Sequence, residues 1–194
     1  YSYSLGREGL KRASEIAVLN ANYIAYHVSK IPGFTLPFSK DAPRMHECVI
    51  SAEELKETTG VTSMNVAKRL LDFGVHAPTV YFPLIVPEAL MIEPTESESK
   101  AEIDRYCDAL LSIRNEIKEI EEGNFDIENN VLKNSPHTLQ IVATDQWNYP
   151  YPREKAAFPL DFTREQKFWP AVGRIDNAYG DRNLVCSCLP IEEY

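Results

Sequence analysis

The chain has 194 residues, of which 44% are hydrophobic and 25% are charged, and its formal net charge is −9 at pH 7. This length supports one hydrophobic core, and the acidic balance argues against nucleic acid and anionic membranes as main partners. No apolar run is long enough to predict a transmembrane helix. The first residues carry no signal-peptide pattern and no Met.

The first part of the chain predicts a helix followed by two strands. Apolar residues recur at three- and four-residue steps from Leu10 to Val28, which predicts an amphipathic helix that ends at the turn over residues 31–33. Residues 34–38 and 45–50 are both compatible with strands, although Pro37 confines the first of them to a sheet edge.

Two capping-box patterns predict helix starts. Ser51–Glu54 begins a short helix that ends before Gly60, and Thr95–Glu98 begins a long helix whose apolar stripe runs from Ile103 to Ile120. The segments between them predict one helix and two strands, over residues 64–73, 80–84 and 89–93. Strand pairs followed by helices indicate an α+β domain, with a small antiparallel-rich sheet and helices on one face.

The chain changes character after Gly123. Ser135–Pro136 predicts a short helix over residues 137–144, and aromatic residues then alternate with prolines. Residues 167–193 mix aromatics, glycines, fixed charges and a Cys-x-Cys pair without helical or strand periodicity. Because this segment is too apolar for a solvated linker, we expect an irregular aromatic tail that lies on the rest of the molecule.

Two groups of residues are suited to binding or catalysis. His76 follows a predicted helix end, and it is either a functional group or a histidine hydrogen-bonded to a backbone carbonyl. Arg174, Asp176, Asp181 and Arg182 lie within nine residues of the tail. They either clamp a carboxylate or phosphate, or pair with one another and pin the tail to the body.

The cysteines Cys186 and Cys188 leave three alternatives open. They are redox-regulatory thiols, buried or half-buried free thiols, or zinc ligands together with His46 and Cys48. The spacing matches no established zinc pattern, so no metal is predicted and free thiols are favoured. The sequence also lacks the glycine motifs of nucleotide sites, GxSxG and HExxH. No catalytic residue is predicted in this chain.

Four segments together resemble the C-terminal end of one enzyme family: residues 16–25, 73–79, 92–100 and 167–193. The family is glycine dehydrogenase (decarboxylating), the P-protein of the glycine cleavage system. The resemblance runs nearly end to end and in the family's order, with a divergent segment at residues 30–45. Because the family chain is several times longer, we expect this chain to be a piece of a longer protein.

The resemblance implies an enzyme of fold type I (aspartate-aminotransferase-like) that depends on pyridoxal 5′-phosphate (PLP). In that fold a large domain holds the PLP lysine and a small C-terminal α/β domain closes the site. Residues 1–33 are then a connecting helix, residues 34–123 the small domain and residues 124–194 a wrapping extension. None of the ten lysines here lies in a glycine-rich context suited to PLP. We therefore expect the PLP lysine upstream, and the fragment alone to be inactive.

The resemblance also implies a reaction and partners. The family decarboxylates glycine and transfers its aminomethyl group to the lipoyl arm of H-protein. The expected partners are lipoylated H-protein, the rest of the P-protein and a second subunit in a dimer. The expected location is the mitochondrial matrix in a eukaryote or the cytoplasm in a bacterium. Six residues of the matched motifs are candidates for lining the cleft: His76, Thr79, Arg174, Asp176, Tyr179 and Arg182.

Two other classes of function stay open. A non-catalytic interaction module would dock a partner through the aromatic tail and would have a closed core of its own. A stand-alone Cys–His enzyme would use a tail thiol, and one cysteine would then alkylate rapidly at neutral pH.

Overall fold

The computed structural model describes residues 1–38, 42–185 and 191–193. The main elements in chain order are α1 (Ser2–Val28), β1 (Cys48–Ser51), α2 (Glu53–Thr59), α3 (Ser63–Asp72), β2 (Thr79–Val80), β3 (Ala89–Ile92) and α4 (Lys100–Glu121). Short helices follow: α5 (Val131–Asn134), α6 (Leu139–Val142), α7 (Arg153–Ala157), α8 (Asp161–Glu165), α9 (Asn177–Arg182) and a 3-10 turn at Ile191–Glu193. No helix within these ranges is long and apolar enough to cross a membrane.

The sheet has three antiparallel strands in the order β1-β3-β2. Cys48 pairs with Ile92, and Ile50 pairs with Leu90, so these four side chains lie on the same face of the sheet. They join the main hydrophobic core with residues of the first four helices. The opposite face carries Val49 and Met91 in a smaller separate cluster. The predicted α+β architecture, with helices packed on one face of a small sheet, is confirmed.

Helix α4 is the central helix of the core. Leu110, Ile113 and Ile117 are fully buried, as the apolar stripe predicts. Helix α1 packs against α4 through its second half, where Ile24 and Val28 are buried. Its first half is exposed, and it begins at Ser2, ahead of the apolar repeat that starts at Leu10 and of the possible starts at Ser4 and Gly6, with a kink at Gly6.

Both capping-box predictions are wrong, because each helix begins later than predicted: the residues before α2 and α4 are Ala52 and Ser99, not Ser51 and Thr95. The backbone of Ser51 pairs with Thr35 and Ala89 as part of the sheet, so α2 begins only after it. The Thr95 carbonyl accepts a hydrogen bond from the Asn20 side chain of α1, at 2.9 Å. This tertiary contact belongs to a turn, and α4 is capped instead by Ser99, whose hydroxyl accepts from the Glu102 amide.

Two predicted strands are much shorter than expected. Strand β2 stops at Val80 because Tyr81 has a φ of 67°, outside the extended region. Residues 34–38 contribute only the single bridge between Thr35 and Ser51, beside Pro37.

The extension after α4 is more helical than predicted. Residues 137–144 form only the four-residue α6, which is capped by the Thr138 hydroxyl. Three further short helices, α7 to α9, lie in the part predicted to be irregular. Each has only five or six residues, which is too short for an apolar repeat to be detected in the sequence.

Candidate functional site

A cleft of about 490 Å³ opens beside the sheet. It is bordered by α1, by α4, by the loop over residues 74–79 and by the end of β3. Ile24, Met91 and Ile103 contribute apolar walls. The same core packing that places α1 beside α4 therefore also forms the cleft.

The polar part of the cleft wall is acidic. Glu93, Glu98 and Glu102 line it, and the lining contains neither lysine nor arginine. Such a wall attracts a positively charged amine and repels a phosphate.

Tyr106 adds a hydroxyl group at the cleft. The Tyr106 Oη is buried, and no described residue hydrogen-bonds to it. Burial is the main cause that raises the pKa of Tyr106, and the nearby Cys48 and Cys107 add to it. The phenol is therefore neutral at physiological pH and able to donate a hydrogen bond.

The structure places His76 and Thr79 together at this cleft. The Thr79 hydroxyl donates to Glu93 at 3.4 Å. No described residue hydrogen-bonds to the His76 ring, so the backbone-bonded histidine considered from the sequence is not observed there. His76 also borders a second groove of about 450 Å³, whose apolar wall includes Phe168 and Val172 of the tail.

The four other candidate residues lie outside the lining of the cleft. The Arg174 guanidinium donates to the backbone carbonyls of Ser135 and Leu132 at 2.8 and 2.7 Å. Asp176 caps α9 by accepting from the Tyr179 amide at 2.9 Å. Tyr179 and Arg182 are exposed on α9.

Arg174 thus pins the tail to the body, as one alternative predicted, but it does so through carbonyl groups. Among the described residues, no ion pair joins the arginines and aspartates of this cluster.

A buried polar network, which the sequence analysis missed, holds the extension against α3 and α4. Arg69 is fully buried and makes a two-point contact with Glu116, at 3.0 and 2.6 Å, and a third contact with Asp72 at 2.9 Å. Asp72 in turn accepts from the His137 amide at 2.6 Å, and the His137 ring lies 2.8 Å from the Tyr151 hydroxyl. The only sequence signal for this network was an Arg–Asp pair three residues apart on a helix.

The network is structural, because its charged members are shielded from solvent. Asp72 is fully buried, which by itself would raise its pKa. The contacts with His137 and Arg69 outweigh that effect and hold the pKa of Asp72 below its ordinary value.

The described thiols are buried, and no described metal cluster accompanies them. Cys48 and Cys107 are free and buried, and burial raises their pKa values to about 11 and about 12. Within the described ranges, no group of three or more His, Cys, Asp or Glu side chains could hold a metal ion. Cys186 and Cys188 lie outside the described residues, so the alternatives for this pair stay predictions.

Comparison with known proteins gives one consistent match. The family model described as "Glycine dehydrogenase, C-terminal domain" matches residues 13–137. Proteins named "Glycine dehydrogenase (decarboxylating)" match the whole chain: 54% identity over 195 residues in Nitrobacter winogradskyi, 53% over 195 in Rhodopseudomonas palustris and 52% over 196 in Nostoc punctiforme.

The match covers 100% of this chain but only 20%, 19% and 20% of these three relatives, so the chain spans about one fifth of their length. The family model covers three of the four segments recognised in the sequence, and the full-length relatives cover all four. The chain therefore belongs to the glycine dehydrogenase family, in the part that forms its C-terminal domain.

Proposed function

We propose that this chain is the C-terminal part of a PLP-dependent glycine decarboxylase. The whole enzyme would release CO2 from glycine and transfer the aminomethyl group to the lipoyl arm of H-protein. The observation that carries this proposal is the identity of more than half the residues over the full chain to glycine dehydrogenases (decarboxylating). The named relatives are bacterial, so the bacterial cytoplasm is the location that we propose.

The residues of this chain do not fit PLP by themselves. The cofactor needs a lysine and a cationic or amide-rich cradle for its phosphate, whereas the cleft wall carries three glutamates and neither lysine nor arginine. Lys167 has a pKa lowered to about 8, because burial outweighs the attraction of Asp72. Its ammonium already donates to the Asp72 carbonyl at 2.5 Å, beside the rings of Phe158 and Trp169. We therefore propose that the PLP lysine belongs to the preceding part of the longer polypeptide.

The proposed contribution of this chain is to shape and cover the substrate cleft. His76 and Thr79 line the described cleft, where they can orient a ligand held by the preceding domain. The three glutamates favour the amino end of glycine over its carboxylate at this wall. In this proposal residues 1–33 connect the two domains, residues 34–123 form the small domain, and residues 124–194 wrap around it.

Borohydride trapping tests the proposal directly. Borohydride reduces a lysine–PLP linkage to a stable adduct, which peptide mapping locates in the sequence. We expect the whole enzyme to release CO2 from glycine and to carry its adduct upstream of residue 1. An adduct on any of the ten lysines of this chain would contradict the proposal.

The alternative of a non-catalytic docking module has one observation in its favour. The tail exposes Phe168, Leu184 and Val185 in this structure, which is typical of a surface that contacts another protein. A whole protein that binds the lipoyl carrier but releases no CO2 from glycine would favour this alternative.

A further inference from the structure

The loop between β2 and β3 presents an exposed apolar tip, which we call the apolar loop (residues 81–85). Leu84 and Ile85 are 78% and 81% exposed, and Tyr81 and Phe82 are about half exposed. The nine residues from Thr79 to Pro87 contain no charged side chain. Single exposed apolar residues are ordinary on a protein surface, but four large ones on one short loop mark an interaction site.

The base of the apolar loop is firmly held. The Tyr81 amide donates to the Ala89 carbonyl at 3.1 Å, and the Val86 amide donates to the Pro83 carbonyl at 2.9 Å. The Ser51 hydroxyl donates to the Pro87 carbonyl at 2.7 Å. These bonds hold the loop in one conformation, so little further conformational entropy would be lost when it binds.

Glu88 fixes the loop to two helices. Its carboxylate accepts from the Lys56 ammonium of α2 at 2.6 Å, and from the amide and hydroxyl of Ser63 at the start of α3 at 2.8 and 2.9 Å. Tyr81 and Glu88, the non-glycine residues with positive φ in the described chain, stand on either side of the apolar tip. A positive φ is energetically unfavourable for a non-glycine residue, and it persists only where surrounding contacts stabilise it, as the hydrogen bonds of Tyr81 and Glu88 do here.

We propose that the apolar loop docks into the preceding part of the longer polypeptide, as a permanent contact between domains. This inference rests on the proposed function, because it requires that longer polypeptide. The matched family is a C-terminal domain, and the relatives are about five times longer than this chain. Most of the surface that could cover the loop therefore precedes it in the sequence.

The chemistry of the loop favours this occupant over two others. Permanent interfaces are more apolar than transient ones, and an uncharged tip fits the first class better than a carrier protein that must bind and leave. A second copy of this chain would add another formal net charge of −9 to the assembly, and the repulsion between two acidic chains opposes their association.

A cysteine-accessibility measurement on the whole enzyme tests whether the loop is covered. The variants are Ile85→Cys in the loop and, as a matched control, Leu139→Cys at the first residue of α6, where the side chain is 50% exposed. In this structure position 85 is the more accessible, so an undocked loop would make Ile85→Cys the faster to react with a maleimide. Docking would cover position 85 and make Ile85→Cys the slower of the two variants to react. We expect Ile85→Cys to react at least about tenfold more slowly than Leu139→Cys in the native enzyme, and equally fast in denaturant. Equal or faster native labelling of Ile85→Cys would overturn the proposal.

A photo-crosslinking residue at position 85 identifies the occupant. We expect the crosslinked peptide to come from the polypeptide upstream of residue 1. A crosslink to residues 1–194 of a second copy, or to the lipoyl carrier protein, would overturn the proposal. Neither readout depends on glycine turnover. Protection and an upstream crosslink in an enzyme that releases no CO2 from glycine would therefore contradict the proposed function while supporting the docking.

Discussion

At the scale of single residues, Arg69 is the cation at the centre of the buried network. It is fully buried, and it is paired with two carboxylates, those of Asp72 and Glu116. It also donates to the backbone carbonyls of Lys155 and Ala156 and so ties α7 to the core. Removing such a group is costly, mainly because the buried carboxylates that it neutralises are left without a partner.

Replacing Arg69 by Met should therefore destabilise the protein strongly. We expect a loss of about 3–5 kcal/mol in the free energy of unfolding, because two buried carboxylates lose their partner. Urea denaturation of the whole enzyme, followed by tryptophan fluorescence, measures the change. The matched control is Arg105→Met, which removes an exposed pair with Glu102 and should cost no more than about 1 kcal/mol. Equal losses in the two variants would show that the network does not hold the extension.

The two described thiols should be unreactive. Burial raises the pKa values of Cys48 and Cys107 to about 11 and about 12, so almost none of either is thiolate at pH 7. We expect neither residue to be alkylated by iodoacetamide at pH 7 until the protein is unfolded, as followed by peptide mapping. Rapid modification of either one in the native protein would contradict this expectation.

At the scale of elements, the loop contacts of Glu88 couple the sheet to α2 and α3. Burial alone would raise the pKa of Glu88, but the hydrogen bonds from Lys56 and Ser63 lower it below the ordinary value. A carboxyl group with a lowered folded-state pKa stabilises the fold fully above its unfolded-state pKa, and this contribution is lost as the pH falls through the folded-state value.

The variant Glu88→Gln should show that dependence. We expect it to be less stable than the parent by about 2 kcal/mol at pH 7, because a charge-assisted set of hydrogen bonds is lost. The difference should shrink as the pH falls through the lowered pKa, where the parent carboxyl group becomes protonated. Unfolding midpoints between pH 7 and the acid limb measure it, with Glu122→Gln as a control in an exposed pair. A difference that is constant with pH would contradict the role of the charge.

At the scale of the whole molecule, the tail joins the body at a few anchors and is otherwise exposed. Lys167 and Arg174 bind backbone carbonyls of the body, whereas Tyr179, Leu184 and Val185 are exposed. The expectation that the tail lies on the body is thus met at its anchors and not along its described length.

The proposed function leads to one further expectation, that the tail lies at the entrance used by the lipoyl carrier, and deleting residues 177–194 from the whole enzyme tests it. Lys167, Arg174 and the Ile175 carbonyl keep their contacts with the body, and of the described hydrogen bonds to the body only that from Lys68 to Asn177 is lost. Under the proposed function we therefore expect PLP binding to change little and transfer to the lipoyl carrier to fall more. Absorbance of the bound cofactor and the rate of aminomethyl transfer measure the two effects. An equal loss of both would contradict this placement, and a variant lacking only residues 191–194 serves as the control.

The sequence was most informative where a local pattern is long and faces a core. The stripe of α4 predicted its buried residues, and the end of α3 before Gly74 was predicted within one residue, because periodicity and capping act within a few residues. Helix starts and strand lengths were less accurate. The start of α4 is capped by Ser99 rather than Thr95, whose carbonyl bonds to Asn20, and β2 ends before the positive φ of Tyr81. Such long-range effects leave no local pattern.

The candidate site, too, was predicted from the sequence only in part. Recognition of the family motifs brought attention to His76 and Thr79, which share a cleft, and to Arg174, which does not line it. Tyr106 and Glu102 were missed as cleft residues, because on α4 they read as ordinary members of an amphipathic helix.

By itself, the sequence determined the family, the α+β class and the long core helix, since these follow from residue identity and from periodicity along the chain. Only the tertiary structure decided that Arg69 and His137 meet in one buried network, that glutamates form the cleft wall, and that the apolar loop is held out towards solvent. Those features depend on contacts between residues far apart in the chain. Whether a polar group is buried with its partners, or an apolar group is left without any, is set by packing rather than by local pattern.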